Sequence, residues 1–463
     1  MMFRKRDTHI HFIGIGGIGM SGIAEVLLNL GYRVTGTDLS ASETTQRLSG
    51  LGATVHKGHS ASFLGDADVV VTSSAVGRDN PEVEAARNAH IPVIPRAEML
   101  AELMRLKQGI LIAGSHGKTT TTSMVANVLH HAGRDPTSVI GGKVNGFDSN
   151  ARLGSGDLMV AEADESDGSF LYLSPTVAII TNIDNEHLDH YGSIHALIDA
   201  FVGFANRVPF YGISIVCSDD TNLVSLLPRL TKRVRTYGFN AGADYVADQV
   251  QHCGLTSHFH VRTPTRDLGI FSIPMPGAHN VLNALATIVL CEEQQVDLEI
   301  TRESLAEFSG VQRRFTLRGS IGDVTVVDDY AHHPTEIRAT LGAARSAFPQ
   351  RRLIAVFQPH RYTRVRDHRA EFARSLAIAD LIVLTSIYAA GEETIDGVTE
   401  ASILVDLQQA APDKQVVYLP HLETLAAELF ELSRCGDLIV TLGAGSITQV
   451  SRDLVERLAG ARS

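Results

Sequence analysis

The residues with the plainest chemical meaning are Gly114-Ser115-His116-Gly117-Lys118-Thr119-Thr120. They follow the apolar run Ile110-Leu111-Ile112-Ala113 and open a segment whose apolar positions Met124, Val125, Val128 and Leu129 recur at helical spacing. Strand, glycine loop and helix in that order make a phosphate cradle, because main-chain N–H groups converge at a helix start whose dipole favours an anion. Lys118 adds a mobile positive charge and Thr119 a hydroxyl for Mg²⁺, so the stretch reads as a nucleoside triphosphate site. Ile112 stands where the first glycine of the usual G-x-x-x-x-G-K-[ST] pattern belongs, which makes this a shortened form of that loop.

Two more apolar runs end in polar groups. Residues 158–161 lead into Glu162-Ala163-Asp164-Glu165-Ser166-Asp167, and carboxylates at a strand's C-terminal edge beside a phosphate loop are where a hard Mg²⁺ finds oxygen ligands; Glu162 is the candidate. Residues 177–180 lead into 181–191, where His187 occupies the parallel position and suits a metal or a phosphate. Further on, Pro276-Gly277-Ala278-His279-Asn280-Val281-Leu282-Asn283 reads as a loop entering a helix. His279, Asn280 and Asn283 offer donors and acceptors that suit an adenine edge, although helix capping alone accounts for Asn280.

An earlier glycine loop, Gly14-Ile15-Gly16-Gly17-Ile18-Gly19, also follows a strand (9–14) and opens a helix (21–31); Asp38 ends the next strand (32–38) about 20 residues on. Glycines here permit a tight turn against a diphosphate, Asp38 can accept from a ribose hydroxyl, and Ser73 and Ser74 at the end of strand 69–73 can reach the same diphosphate. Alone, this pattern describes a nicotinamide-dependent oxidoreductase. Such an enzyme has no need of the second loop at Lys118, so the two together favour a nucleotide substrate at Gly16, Gly17, Ile18, Gly19, Asp38, Ser73 and Ser74 with ATP at Lys118. A nonenzymatic alternative, an ATP-gated binding protein with a degenerate site, is disfavoured because the metal and phosphate groups are all present.

The last third of the chain alternates strand and helix again, with strands at 324–327, 352–357, 381–385, 416–419 and 438–442 and helices at 336–348 and 370–379. Its functional candidates are strand ends: Asp328-Asp329-Tyr330-Ala331-His332-His333-Pro334, and the cationic His360-Arg361-Tyr362-Thr363-Arg364-Val365-Arg366, whose guanidinium forks suit carboxylates and phosphates.

Length and composition set the frame for these sites. A chain of 463 residues exceeds one ordinary core, and the boundaries read as 1–107, 108–316 and 317–463, each an α/β layer: a Rossmann-like N-terminal domain, a central P-loop ATPase-type domain and a C-terminal Rossmann-like domain. A net charge of -12 argues against a nucleic-acid partner. No apolar run reaches membrane-spanning length and the first strand follows Phe3-Arg4-Lys5-Arg6 without a signal-peptide pattern, so a cytoplasmic location with no membrane insertion is expected. Four dispersed cysteines, with no C-x-x-C pair, read as reduced thiols.

Taken together, the motifs resemble the Mur ligase family over essentially the whole chain. The resemblance rests on residues 14–22, 114–122, 162–170, 182–189 and 279–284, Arg313-Arg314-Phe315, residues 328–334 and residues 358–367. The shortened phosphate loop is the family's normal form. Gly16-Gly17-Ile18-Gly19-Met20-Ser21-Gly22, Asp164-Glu165-Ser166-Asp167 and Gln358-Pro359-His360-Arg361-Tyr362-Thr363-Arg364 look like the members that join L-alanine to the lactyl carboxylate of UDP-N-acetylmuramic acid, rather than the recycling members that attach a tripeptide to the same sugar nucleotide. Glu186 departs from the Asp common before the family's His. The resemblance implies ATP and Mg²⁺, two ions with Mn²⁺ as an alternative, held by Thr119, Glu162 and His187. It implies Lys118 and Arg314 on the transferred phosphoryl group, Asn280 and Asn283 on adenine, and Asp328 or Asp329 on the ATP ribose. Tyr330, His332, Arg361 and Arg364 fall to the alanine end, in a monomer or homodimer.

Overall fold

The computed structural model describes residues 8–73, 75–105, 107–141 and 151–460. Strands β1 (His9–Ile13), β2 (Arg33–Asp38), β3 (Thr54–Lys57), β4 (Val69–Thr72) and β5 (Val93–Pro95) form a parallel sheet in the order β3-β2-β1-β4-β5. Helices Ile18–Asn29, Glu43–Gly50 and Pro81–Asn88 return the chain between strands, as parallel pairing requires. The order reverses between β1 and β4, which places the ligand crevice outside their C-terminal ends, where residues 14–19 and Ser73 lie.

Beneath this sheet the polar residues of β1 are paired rather than solvated. His11 Nε2 lies 2.8 Å from Glu82 Oε2 and His11 Nδ1 2.7 Å from Thr35 Oγ1; Glu82 also accepts from Thr37 Oγ1 at 2.9 Å and pairs with His59 Nδ1 at 3.0 Å. Burial alone would raise the Glu82 carboxyl, but His11, Thr37 and His59 together hold it below the ordinary value.

A second sheet has ten strands: β6 (Gln108–Ala113), β7 (Thr137–Val139), β8 (Ala151–Arg152), β9 (Leu158–Glu162), β10 (Val177–Ile180), β11 (Ile213–Cys217), β12 (Val234–Gly238), β13 (Tyr245–Cys253), β14 (Thr256–Arg262) and β15 (Asp267–Ile273). Their order is β15-β14-β13-β12-β11-β10-β6-β9-β7-β8. β6, apolar and buried from Gly109 to Ala113, is central, paired in parallel with β9 on one side and β10 on the other, so the three strand ends carrying the phosphate loop, Glu162 and Thr181 to His187 lie side by side. The reading of the sequence leaves β11 to β15 unassigned.

The third sheet contains β16 (Thr316–Ile321), β17 (Val324–Asp329), β18 (Arg352–Phe357), β19 (Leu381–Leu384), β20 (Gln415–Tyr418) and β21 (Asp437–Leu442), in the order β16-β17-β21-β18-β19-β20 with only the β16–β17 pair antiparallel. Alternation divides its two cores. Leu353, Ala355 and Phe357 join one cluster with Leu341, Phe372 and Ile403, while Ile354 and Val356 join another with Leu425, Leu429 and Leu454.

Three α/β sheets agree with the fold expected from the sequence. By compactness the chain divides into two units, the first comprising residues 1–248, 260–271 and 282–309 and the second residues 249–259, 272–281 and 310–463. Among the described residues no helix is long and apolar enough to cross a membrane. One element differs from expectation: helical residues run from Tyr362 to Leu376 across a kink at His368, so the helix placed at 370–379 is the second part of this span and Arg364 sits in a helical first turn rather than on a loop.

Close backbone packing in the first sheet is testable at Gly36. A Cβ there would lie 2.7 Å from the Phe12 carbonyl oxygen of the neighbouring strand and 2.8 Å from Ile15 Cδ1. Gly36→Ala is expected to destabilise the protein by about 1–3 kcal/mol in denaturant titration. Gly50→Ala, at a position in helix Glu43–Gly50 where an added Cβ meets nothing within 4 Å, is expected to be neutral or to stabilise by up to about 1 kcal/mol.

Candidate active site

The phosphate loop is held from three sides. Gly114 adopts φ +130°, and a side chain there would collide with Thr181 Oγ1 and approach the Asn182 backbone to 3.0 Å, so only glycine fits. Asn182 clamps His116, its Oδ1 accepting from the His116 N–H at 2.8 Å and its Nδ2 donating to the His116 carbonyl at 3.0 Å. Ser115 N donates to the Asn182 carbonyl at 3.0 Å, and Ser115 Oγ accepts from Asp184 N at 2.9 Å. His116 Nε2 lies 2.9 Å from Asp184 Oδ2. Gly117 caps helix Lys118–His131 with φ +85°, and a Cβ there would lie 2.7 Å from Asn283 Oδ1, which itself accepts from Thr121 Oγ1 at 3.2 Å. Thr119 and Thr120 are buried in the helix's first turn.

Lys118 is the centre of charge. Its Nζ donates to the Gly114 carbonyl at 2.6 Å and to both oxygens of the fully buried Glu165 at 2.8 Å. Burial works against the ammonium, yet Glu165, Asp164 and Glu162 outweigh it and hold Lys118 above its ordinary value, so it is a permanent cation. Burial pushes the Glu165 carboxyl upward despite the pull of that ammonium. Glu162 Oε2 accepts from Thr119 Oγ1 at 3.3 Å and Oε1 from Gly141 N at 2.6 Å. His187, at φ +58°, brings Nε2 to 3.8 Å from Glu165 Oε1. A hydroxyl and a carboxylate converging beside a lysine form a hard oxygen donor set that fits Mg²⁺.

The first glycine loop lies within the same unit. Asp38 Oδ2 accepts from the Gly16 N–H at 2.9 Å, drawing the carboxylate onto the loop; Gly17 caps helix Ile18–Asn29, and Ile18 is exposed. Ser73 Oγ lies 4.0 Å from where a Gly14 Cβ would be, on the same crevice, while Ser74 lies outside the described residues. Arg96, which the sequence reading passed over, packs directly against Gly19 and donates through Nη2 to Asp164 Oδ2 at 3.2 Å. One guanidinium therefore links the first loop to the acidic loop around Lys118.

In the second unit, Arg314 Nη1 is 3.8 Å from Glu336 Oε1, and both Arg313 and Arg314 lie over the Tyr330 ring, at 4.7 and 5.3 Å from its centroid. Tyr330, His332 and His360 continue in ring contact at 5.2 and 5.7 Å, and Arg364 Nη1 reaches His360 Nδ1 at 3.4 Å. Arg361, more than half exposed, caps helix Tyr362–Leu376. Asp328 is fully occupied, accepting from Arg318 Nη2 and Thr448 Oγ1 at 2.7 Å and from Thr441 Oγ1 at 2.9 Å. Asp329 accepts from the N–H groups of Phe315 at 2.7 Å and Ala331 at 2.8 Å, and burial raises its carboxyl to about 6. His279 and Asn280 begin helix Ala278–Glu293, with Asn280 Nδ2 donating to the Pro276 carbonyl at 2.8 Å, and Asn283 follows on the next turn. Burial, then nearby arginine charge, lowers His279 and His360 to about 4; burial lowers His332 to about 3, with Arg364 adding to the effect and Glu336 opposing it.

Residues 9–108 match the Mur ligase family, catalytic domain; residues 112–291 match the Mur ligase middle domain; residues 313–445 match the Mur ligase, glutamate ligase domain. The chain belongs to the Mur ligase family. It is 57% identical over 458 residues to the UDP-N-acetylmuramate–L-alanine ligase of Myxococcus xanthus (strain DK1622), covering 99% of this chain and 97% of that protein. The corresponding ligase of Anaeromyxobacter dehalogenans (strain 2CP-C) is also 57% identical, with 99% of each chain covered. Among solved structures, the UDP-N-acetylmuramate–alanine ligase of Thermotoga maritima is similar at TM-score 0.82 and 31% identity, covering 98% of this chain and 99% of that one. A murein peptide ligase of Psychrobacter arcticus 273-4 is similar at TM-score 0.71 and 26% identity, covering 97% and 98%. This Mur ligase thus carries its glycine loop, phosphate loop and arginine cluster on the family's three sheets.

The lowered histidines make a pH prediction. An unfolded imidazole titrates near 6.5, so between about pH 6.5 and about 4 the unfolded chain binds protons that the folded sites refuse. The contribution of these histidines to stability is therefore full above about pH 7 and falls as the pH drops through that window. Melting temperatures measured from about pH 7.5 to 5 are expected to fall less steeply for His279→Asn than for the parent chain.

Proposed function

We propose that this Mur ligase joins L-alanine to the lactyl carboxylate of UDP-N-acetylmuramic acid, using ATP and releasing ADP and phosphate. The observation that carries the reading is the link through Arg96: two anion cradles, one at Gly16 to Gly19 and one at Lys118, are tied to each other in one unit. An oxidoreductase built on the first cradle alone leaves the second unexplained. Likeness to alanine-adding relatives at 57% identity favours alanine over a tripeptide.

A carboxylate is a poor electrophile, so it must first be activated. The lactyl carboxylate oxygen attacks the γ-phosphorus of ATP, the bond to the ADP oxygen breaks, and an acyl phosphate forms. The alanine amine then attacks the acyl carbon, phosphate leaves with the bonding pair, and the amine loses a proton. Because two anions meet in the first step, positive charge must surround the transferred group. Lys118, once handed from Glu165 to the phosphates, supplies one charge that needs no proton uptake. Thr119, Glu162 and His187 would hold Mg²⁺, which when bound neutralises phosphate oxygens. Arg314 is assigned to the same charge, and His279, Asn280, Asn283 and Asp329 to the nucleoside. Asp328, spent on Arg318, Thr441 and Thr448, is assigned a structural role. Tyr330, His332, Arg361 and Arg364 take the alanine end, where neutral imidazoles leave the positive charge to the guanidiniums. Such a reaction on nucleotide-linked sugar suits a cytoplasmic enzyme.

The test is phosphate and ADP release that requires both UDP-N-acetylmuramic acid and L-alanine. Turnover with tripeptide instead of alanine rejects the reading, and AMP as product rejects the mechanism. Lys118→Ala is expected to lower the rate at least about 100-fold, since it removes a charge from the transition state; near-parent turnover would remove Lys118 from the chemistry. Arg361→Ala is expected to raise the KM for alanine about tenfold or more with little change in the KM for ATP.

A further inference from the structure

We propose that Glu392 is a positioning residue for the amino acid end of the reaction, tying down the first turn of helix Tyr362–Leu376 and so setting where Arg361 and Arg364 stand. The inference rests on the assignment of those arginines to alanine given above. Neither the sequence patterns nor the comparisons point to Glu392; it follows β19 in a turn far along the chain from both arginines.

Arg361 sits at φ +69°, ψ 135°, a backbone region that side-chain-bearing residues avoid and hold only when their surroundings impose it. Two contacts impose it. Arg361 N donates to the Tyr388 carbonyl at 2.9 Å, and Tyr388 N donates to the Pro359 carbonyl at 2.8 Å, pairing the two loops past the end of the sheet. The helix that starts at Tyr362 receives no side-chain cap from its own N-cap residue. Glu392 supplies that cap from the neighbouring loop: Oε2 accepts from Thr363 N at 3.0 Å and Oε1 from Thr363 Oγ1 at 2.7 Å. The same Oε1 lies 4.0 Å from Arg361 Nη1. The carboxylate is itself held by a tight turn, with Glu392 N donating to the Ala389 carbonyl at 3.0 Å across Ala390 (φ +52°) and Gly391 (φ +85°). Burial would raise its carboxyl, but donation from Thr363 and the charge of Arg361 hold it below the ordinary value, so it stays an anion at neutral pH.

A carboxylate beside an arginine that binds a carboxylate ligand competes with that ligand as well as orienting the arginine. At 4.0 Å, with both oxygens already committed to Thr363, Glu392 steadies Arg361 without filling its fork. Loss of the cap frees the helix's first turn, which carries Arg361 at its edge and Arg364 within it. The first chemical step, which precedes alanine, is not touched by this change.

The experiment separates the two half-reactions in the full-length enzyme. Acyl phosphate formed from ATP and UDP-N-acetylmuramic acid without alanine is trapped with hydroxylamine, and complete turnover is measured against alanine concentration. Glu392→Ala is expected to raise the alanine KM about tenfold or more, because two hydrogen bonds to a charged group are lost, while trapping stays within about twofold of the parent. Glu392→Gln, whose amide oxygen still accepts from Thr363, is expected to restore the KM to within about threefold of the parent. Thr363→Val removes one bond from the other side and is expected to raise the KM about threefold, which keeps the idea testable should Glu392→Ala fold poorly. An unchanged alanine KM in Glu392→Ala and Thr363→Val, or equal loss of trapping and of alanine turnover, overturns the positioning role. A parent enzyme that traps acyl phosphate but ignores alanine overturns the functional reading and this inference with it; the first pair of outcomes overturns the inference alone.

Discussion

A lysine ammonium withdrawn from water at a helix start is the constraint around which the first unit is built. Such a charge is tolerated only with a matching anion and hydrogen bonds in good geometry, and Lys118 has both through Glu165 and the Gly114 carbonyl. The loop that carries it admits no slack, because Thr181, Asn182 and Asp184 from the end of β10 fix its backbone and side chains. Pairing β6 between β9 and β10 is what lets one strand bring the counter-ion and another the clamp. The same charge balance extends through Asp164 to Arg96 and so to the first glycine loop.

The two units handle charge differently. In the first, Lys118 and Arg96 stand among several carboxylates, an arrangement suited to exchange with the oxygens of a triphosphate and its metal. In the second, arginines cluster with imidazoles that burial keeps neutral, so positive charge is carried by groups that do not titrate near neutrality. The buried imidazoles, kept neutral, are the groups in this unit through which fold stability responds to acid.

Much was legible in the sequence. The three α/β layers follow from apolar runs alternating with helical spacing, and strand ends carrying Gly114 to Thr120, Glu162, His187 and Arg361 announce themselves because glycines and ionisable residues directly after an apolar strand have few structural uses. Ile110 to Ala113 and Leu158 to Ala161 are legible for the same reason: a strand covered on both faces must be apolar throughout. The excursion from β11 to β15 was not legible: the fully buried β11 is a short apolar run, and the strands after it carry polar residues such as Ser257 at buried positions and apolar ones such as Ile270 at exposed positions. The start of helix Tyr362–Leu376 was missed because five of its first seven residues are charged or hydroxylated, and its cap comes from Glu392, 31 positions after Arg361.

What the sequence determined by itself is which groups stand at the strand ends: a glycine loop with Lys118, a second glycine loop and a cationic segment are local patterns, and local patterns fix which side chains lie close along the chain. What only the tertiary structure decided is pairing. That Lys118 is held by Glu165 rather than by another acid of the same loop, that Asp328 is consumed by Arg318 while Asp329 caps its own loop, and that Arg96 joins two cradles all depend on which strand lies beside which. Strand neighbours are chosen by the packing of whole layers, a sum over many weak apolar contacts, and no short stretch of residues contains that sum.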